Sequence, residues 1–371
     1  MKNAPSREDA AIAPKVAAPQ HGPRPLPLFL AILMEQTQHD PLLRTRALAG
    51  LQRYQTVERP APPLPAQVVA QAGSARLLQY GPVLSADRAP VVFVPSLINP
   101  PDVLDLSEHA SMMRWMAAQG HGVLLVDWGC PSATDPSGKD SDGDLAWHVT
   151  ARLLPLIAQI RHPSPPVLVG YCLGGTLALA AACLHPVRAM ATIAAPWDFD
   201  ALPQQNRDAI GGLWAQARPM CERLGYVPME VLQSGFWKLD PARTIAKYAD
   251  FADLADDGDA MAAFLAVEDW ANAGPPLTLA AGRDLFAHLY GENVTGQGRW
   301  IVGDRPVNPA LPGIPTLSIA STNDHIVPAG TAPPLAERWT RDLGHVGMIV
   351  SRRAPELLWR PLSQWLFNHG G

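Results

Sequence analysis

The sequence predicts an α/β fold built on a mostly parallel sheet with helices on both faces. Short and almost wholly apolar runs recur along the 371 residues, with helix-length stretches between them. Strands buried on both faces read this way, whereas half-exposed strands alternate. A second observation is that the strand signal disappears between Pro196 and about Arg299, where the periodicity turns helical. The third is composition: 47% hydrophobic and 17% charged residues suit a globular chain with one large core or two modest ones.

Taken in order, residues 1–25 are Ala, Pro and charged residues and read as a mobile tail. Residues 26–75 read as an N-terminal helical segment followed by a linker. Helix is expected from Leu28 through Leu51 with a break at Pro41, and Leu43, Ala47 and Leu51 stand at four-residue spacing. Pro60, Pro62, Pro63 and Pro65 then forbid helix, because proline lacks the amide donor and clashes with the preceding turn. Residues 76–196 and 300–371 carry the α/β core, with strands expected at 76–80, 91–94, 123–126, 167–169, 190–193 and 316–319. Residues 197–299 form a helical insertion, placed where a cap over a site would lie. In it Leu213, Ala217, Met220 and Leu224 fall at helical spacing, and Trp214, Trp237 and Trp270 read as core residues.

Charge and cysteine usage narrow the function classes. Lys plus Arg number 29 against 34 Asp plus Glu, a net charge of −5, so no overall basic field draws the chain to nucleic acid. Cys130, Cys172, Cys183 and Cys221 are widely spaced without a C-x-x-C pair. Neither a disulfide framework nor a metal site is expected, and a cytoplasmic setting fits. The opening residues lack the continuous apolar segment of a secretory leader, and the apolar run from Leu26 to Met34 is too short to span a bilayer. The longer stretch from Val167 to Leu184 is interrupted by a turn, so no membrane span is expected.

That turn carries the chemistry. Gly170-Tyr171-Cys172-Leu173-Gly174-Gly175 follows an apolar strand and precedes a small-residue helix, with cysteine where the pattern Gly-x-Ser-x-Gly has serine. Such an elbow needs glycines on both sides, since the nucleophile sits on strained backbone and its neighbours approach closely. A thiol at the apex points to acyl transfer through a thioester. A thiol nucleophile requires a base, and the base a partner that fixes its tautomer. Asp324 follows the strand at 316–319, at the sheet edge where ligands gather, and His345 lies between glycines in Leu343-Gly344-His345-Val346-Gly347. Cys172, Asp324 and His345 stand in the order nucleophile, acid, histidine of the α/β-hydrolases. Asp127 is the alternative acid and Ser96 the rival nucleophile; His121 falls at the opposite sheet edge, and Asp342 is too close in sequence to His345. The backbone amide of Leu173 is expected to bind the developing oxyanion, with that of Ile98 as its partner and Leu97 close behind. His325, Asp105 and Trp270 are candidate substrate contacts.

Five segments in order resemble the polyhydroxyalkanoate synthases: Val94-Pro95-Ser96-Leu97-Ile98-Asn99 through Leu104-Asp105-Leu106, Gln119 through Trp128, the cysteine elbow, Asn323-Asp324-His325-Ile326-Val327-Pro328, and Gly344-His345-Val346-Gly347. The resemblance implies an acyltransferase that polymerises (R)-3-hydroxyacyl groups from coenzyme A thioesters, acting in the cytoplasm at a polyester granule surface. It implies that Cys172 holds the acyl chain, His345 is the general base and Asp324 orients it. No cofactor is implied, coenzyme A entering as part of the substrate. The chain departs from the family in being shorter than the long single-subunit synthases and in lacking the usual Asp-x-x-Asn-x-Pro-Gly order, having Glu268-Asp269-Trp270-Ala271-Asn272-Ala273-Gly274-Pro275 instead. A homodimer or a short synthase with a partner subunit fits these departures; a hydrolase using the same triad (a depolymerase, esterase or thioesterase) is the alternative, and a granule-associated protein with an inert thiol a third reading.

Overall fold

A computed structural model describes residues 22–59, 63–81, 87–108, 110–130, 142–255, 258–311 and 313–370. Residues 1–21 of the expected tail lie outside these. Eight strands make the main sheet: β1 (Gln67–Ala72), β2 (Ala75–Tyr80), β3 (Val91–Val94), β4 (Val123–Asp127), β5 (Val167–Tyr171), β6 (Ala189–Ile193), β7 (Thr316–Ser321) and β8 (Glu337–Arg341). Their order across the sheet is β1-β2-β4-β3-β5-β6-β7-β8. From β4 to β8 all neighbours run parallel, while β1 and β2 are antiparallel additions at one edge.

The unbroken apolar runs have a direct cause. Successive side chains of a strand point to opposite faces, and here both faces are covered. Val92, Val94, Leu124 and Leu168 pack on one side against Leu177 and Ala181 of the helix after β5. Val91, Phe93, Leu125 and Val169 pack on the other against Met112 and Met116, together with Leu362 and Leu366 of the C-terminal helix. Strands β1 and β8 escaped the sequence pattern because they are edge strands. Both are largely exposed, and Glu337-Arg338-Trp339-Thr340-Arg341 carries charge instead of an apolar run. Strand β1 therefore begins within the stretch read as linker.

The N-terminal stretch forms two helices, α1 (Leu26–Gln36) and α2 (Pro41–Thr56). The break between them is chemical: Pro41 opens α2, where its missing amide costs nothing, and the Asp40 carboxylate accepts from the Leu43 amide at 2.9 Å. Residues 197–299 supply α3 (Gln204–Leu224), α4 (Met229–Leu239), α5 (Pro241–Ala252) and α6 (Asp259–Asn272). In α3 the helical spacing holds but the buried face is rotated: Ile210, Leu213, Trp214, Ala217 and Cys221 are buried, whereas Met220 and Leu224, expected to be inward, are exposed.

The helices α1 and α2 pack on this insertion. Phe29, Leu33, Leu51 and Tyr54 share one cluster with Trp237, Ile245, Tyr248, Phe251 and Leu265. Polar locks reinforce it from the adjacent pair Glu268 and Asp269. Buried Glu268 accepts from Tyr248 at 2.9 Å and Lys247 at 2.6 Å, and Asp269 accepts from Tyr54 at 2.6 Å and from Arg59 at 2.8 and 2.9 Å. Upstream, the Arg24 amide donates to Asn272 at 2.8 Å, so residues 22–25 are docked.

The closest approach is at Gly50, where an added methyl carbon would stand 1.8 Å from the Tyr248 carbonyl oxygen. Alanine in a helix interior is ordinarily favoured over glycine by about 1 kcal/mol. Overpacking of this kind costs about 1–3 kcal/mol and should win. Gly50→Ala is expected to lower the urea midpoint, and a raised midpoint would show that α2 has room to shift.

Candidate active site

The elbow after β5 places Cys172 at φ 54° and ψ −136°, a conformation that side-chain-bearing residues rarely adopt. Strain of this kind costs about 1–3 kcal/mol and survives only where the surroundings enforce it. Here the enforcement comes from three glycines. A methyl carbon at Gly170 would lie 2.3 Å from the Gly175 Cα, one at Gly174 would lie 2.1 Å from the Val94 carbonyl oxygen, and one at Gly175 would lie 2.4 Å from the Ala195 Cβ. The Cys172 amide donates to the Ile193 carbonyl at 2.9 Å, tying the apex to β6. Helix α7 (Leu173–Leu184) begins at the next residue, so the Leu173 amide belongs to the first turn, whose amides have no intrahelical acceptor.

Asp324 and His345 emerge from the loops after β7 and β8. The His345 Nδ1 is 2.6 Å from Asp324 Oδ2, and the other carboxylate oxygen accepts from the amides of Ile326 and Val327, both at 2.8 Å. Both oxygens are thus used and the carboxylate is fixed. Ser321 ties the two loops together, its hydroxyl donating to the Leu343 carbonyl and accepting from the Asn323 amide. Burial pulls the His345 pKa down, but the Asp324 charge and Cys172, with hydrogen bonds to both, outweigh it and hold the imidazole up at about 10. The structure therefore brings Cys172, His345 and Asp324 into one electrostatic unit.

Competing candidates are accounted for elsewhere. Asp127 pairs with Arg76 and accepts from the Gly129 amide at 2.9 Å, at the end of β4, on the far side of β5 from His345. His121 is a core histidine, stacked on Phe367 and 2.8 Å from Ser363 Oγ, with burial lowering its pKa to about 4. Asp342 is exposed and accepts from Asn323 Nδ2. Ser96 serves its own loop, its hydroxyl accepting from the Ile98 amide at 3.0 Å. The expected second oxyanion donor is therefore engaged locally, whereas no partner for the Leu97 amide is found among the described residues.

The three expected substrate contacts sit in different surroundings. Asp105 is buried and held by Arg114 through bonds of 2.8 and 3.0 Å, which leaves it a structural ion pair. Trp270 is half-buried, and its indole donates to the Pro100 carbonyl at 2.8 Å, anchoring α6 to the loop after β3. His325 is exposed beside Asp324. Two tyrosines were not anticipated. The Tyr171 ring lies 5.4 Å from that of His345. Tyr290, from the helical turn Asp284–Gly291, has its phenol pushed up by burial and then by the charges of Cys172 and Asp324. Its apolar neighbours in the sequence gave no sign of this proximity.

The model of the alpha/beta hydrolase family matches residues 91–358, which include the elbow and both partner loops. The chain belongs to that family. Similarity also extends to proteins called poly(3-hydroxyalkanoate) polymerase subunit PhaC. The one from Synechocystis is 28% identical over 92% of this chain and 95% of its own length. The one from Haloferax mediterranei is 26% identical over 92% of this chain and 72% of its own length, and that of Allochromatium vinosum is 28% identical over 76% and 81%. The resemblance read from five short segments thus extends along most of the chain. Among the described residues no helix is long and apolar enough to cross a membrane.

Two expectations follow from the geometry. Because the His345 pKa is raised in the folded protein from 6.5 to about 10, its pairing stabilises the fold fully below about pH 6.5 and is lost as pH rises through 10. Urea unfolding of the parent and His345→Asn should differ most near pH 6 and converge above pH 10; a constant difference would refute the pairing. Iodoacetamide should label Cys172, opposite the imidazole, well before Cys183, whose thiol is pushed up by burial. Equal, slow labelling would mark Cys172 as inert.

Proposed function

We propose that the protein is an acyltransferase of the polyhydroxyalkanoate synthase type, acting on (R)-3-hydroxyacyl coenzyme A thioesters. The observation that carries this reading is the strained cysteine apex facing a histidine already fixed by a buried carboxylate. In the first half-reaction the proton rests on His345 as the Cys172 sulfur attacks the thioester carbonyl. The oxyanion is met by the Leu173 amide and, with Ile98 engaged by Ser96, by that of Leu97. The carbon–sulfur bond to coenzyme A then breaks, and the departing thiolate takes the proton from His345. In the second, the hydroxyl of another 3-hydroxyacyl unit gives its proton to His345 as its oxygen attacks the enzyme thioester. Cys172 leaves as thiolate and an ester has formed.

A cysteine suits this sequence of steps because exchanging one thioester for another keeps the acyl group activated. Water must stay out during that interval, and the helices of residues 197–299, acting as a cap, would exclude it. Hydrolysis would need only water in place of the second hydroxyl. The chemistry also fits an enzyme working at a polyester granule in the cytoplasm, as a homodimer or with a second subunit, and the word subunit in the relatives' names supports the latter.

Incubated with 3-hydroxybutyryl coenzyme A, the purified protein should release coenzyme A and form polyester; free acid without polymer would overturn the synthase reading in favour of a hydrolase. Cys172→Ala should abolish the covalent acyl-enzyme seen with radiolabelled substrate. His345→Ala should lower kcat by about 10²–10⁴-fold, the usual contribution of a general base. Acyl-protein persisting in the cysteine variant would show that another nucleophile is used.

A further inference from the structure

Apart from the triad, the described residues line an open cavity of about 480 Å³ whose walls include Leu97, Trp128, Trp147, His148 and Ala273. Strand order fixes its place. It opens at the carboxyl ends of β3 and β4, whereas Asp324 and His345 follow β7 and β8 on the other side of β5. Leu97 belongs to the loop after β3, and the Trp128 indole donates to the Pro95 carbonyl of the same loop at 3.0 Å. A ligand whose carbonyl rested on that loop would have the base to one side and this cavity to the other.

His148 gives the cavity a chemical preference. Its residue is 8% exposed, and its Nδ1 lies 2.7 Å from the Asp144 carbonyl oxygen. A carbonyl only accepts, so Nδ1 carries the proton. Burial lowers the pKa of the ring, against smaller opposing effects from Asp144, so the ring is neutral and Nε2 presents a lone pair. No hydrogen-bond partner for Nε2 exists among the described residues. The Trp128 and Trp147 rings meet the imidazole edge-on, with centroids 6.1 and 5.1 Å away. With no donor against it among those residues, Nε2 faces the cavity as a free acceptor that a donating ligand can meet.

The charges in the wall balance, Arg76 and Arg152 against Asp102 and Asp127. Arg76 is paired with Asp127, and the Arg152 guanidinium lies 4.2 Å from the centroid of the Trp147 ring. The lining thus favours a neutral ligand with N–H donors over a phosphate. Ester carbonyls along a polyester chain are acceptors and would leave Nε2 unpaired. Amide groups carry the needed donor.

We propose that this cavity holds the neutral amide-bearing arm of the thioester leaving group, the pantetheine chain, with an amide N–H donating to His148 Nε2 and the anionic nucleotide outside. This rests on the thioester reading above, but it is testable without turnover. Calorimetric titration with pantetheine should give a Kd about tenfold weaker in His148→Phe, while His148→Gln, which keeps an acceptor oxygen, stays within about threefold of the parent. Ala273→Trp, which fills the cavity from an exposed position in the insertion, should weaken pantetheine at least tenfold. Titration with 3′,5′-ADP should barely change across the three variants. Unaltered pantetheine affinity in either His148→Phe or Ala273→Trp, undetectable binding to the parent, or tighter binding of 3′,5′-ADP than of pantetheine would each overturn the assignment. Intact pantetheine binding in a protein that fails to turn over coenzyme A thioesters would count against the proposed function and leave the cavity assignment standing.

Discussion

A single backbone constraint organises this structure: Cys172 must be held at a positive φ so that its sulfur stands clear of the sheet at the end of β5. Nothing in the cysteine itself favours that conformation, so the neighbours have to impose it. Gly170, Gly174 and Gly175 do so by letting β5, the loop after β3 and the chain after β6 approach to distances that a methyl group would forbid. The same close approach brings the Leu97 loop beside the first turn of α7. The Leu97 loop, the Leu173 amide and Cys172 are thus positioned by one packing event, and His345 is aligned separately through Asp324 and the Ser321 link between its two loops.

The division of labour in the polar groups follows from burial. Asp324 and Asp105 are both buried carboxylates next to a nitrogen base, and they have opposite uses. Asp105 faces a guanidinium that is permanently charged, so the pair can only hold α-helical residues after Ser111 to the loop before them. Asp324 faces an imidazole, whose proton can move, and its remaining oxygen is saturated by backbone amides. Only the second pairing can take part in proton transfer. Sequence position alone does not separate the two, since each aspartate follows an apolar strand and its loop.

Much of the fold was legible because buried parallel strands carry an unmistakable composition, and β3 to β7 are where the apolar pattern put them, with antiparallel β2 beside them. The edge strands β1 and β8 were not, because edges are selected for charge and solvent exposure. The elbow and its partners could be read because glycine spacing reflects steric need. What could not be read were the relationships across long sequence distances. That Trp270 anchors the Pro100 carbonyl and that Tyr290 approaches Cys172 and Asp324 both depend on where the insertion folds back. Helical periodicity in α3 gave the element and missed its face, since Met220 and Leu224 share the spacing but Cys221 has the partners.

The attachment of the N-terminal helices has a mechanical meaning. Their cluster contains residues of the insertion and none of the sheet, and Arg59 at the end of that segment is clasped by Asp269 of α6. Helices α1 and α2 are therefore ballast on the insertion, and any excursion of the insertion away from the elbow would carry them along as one body.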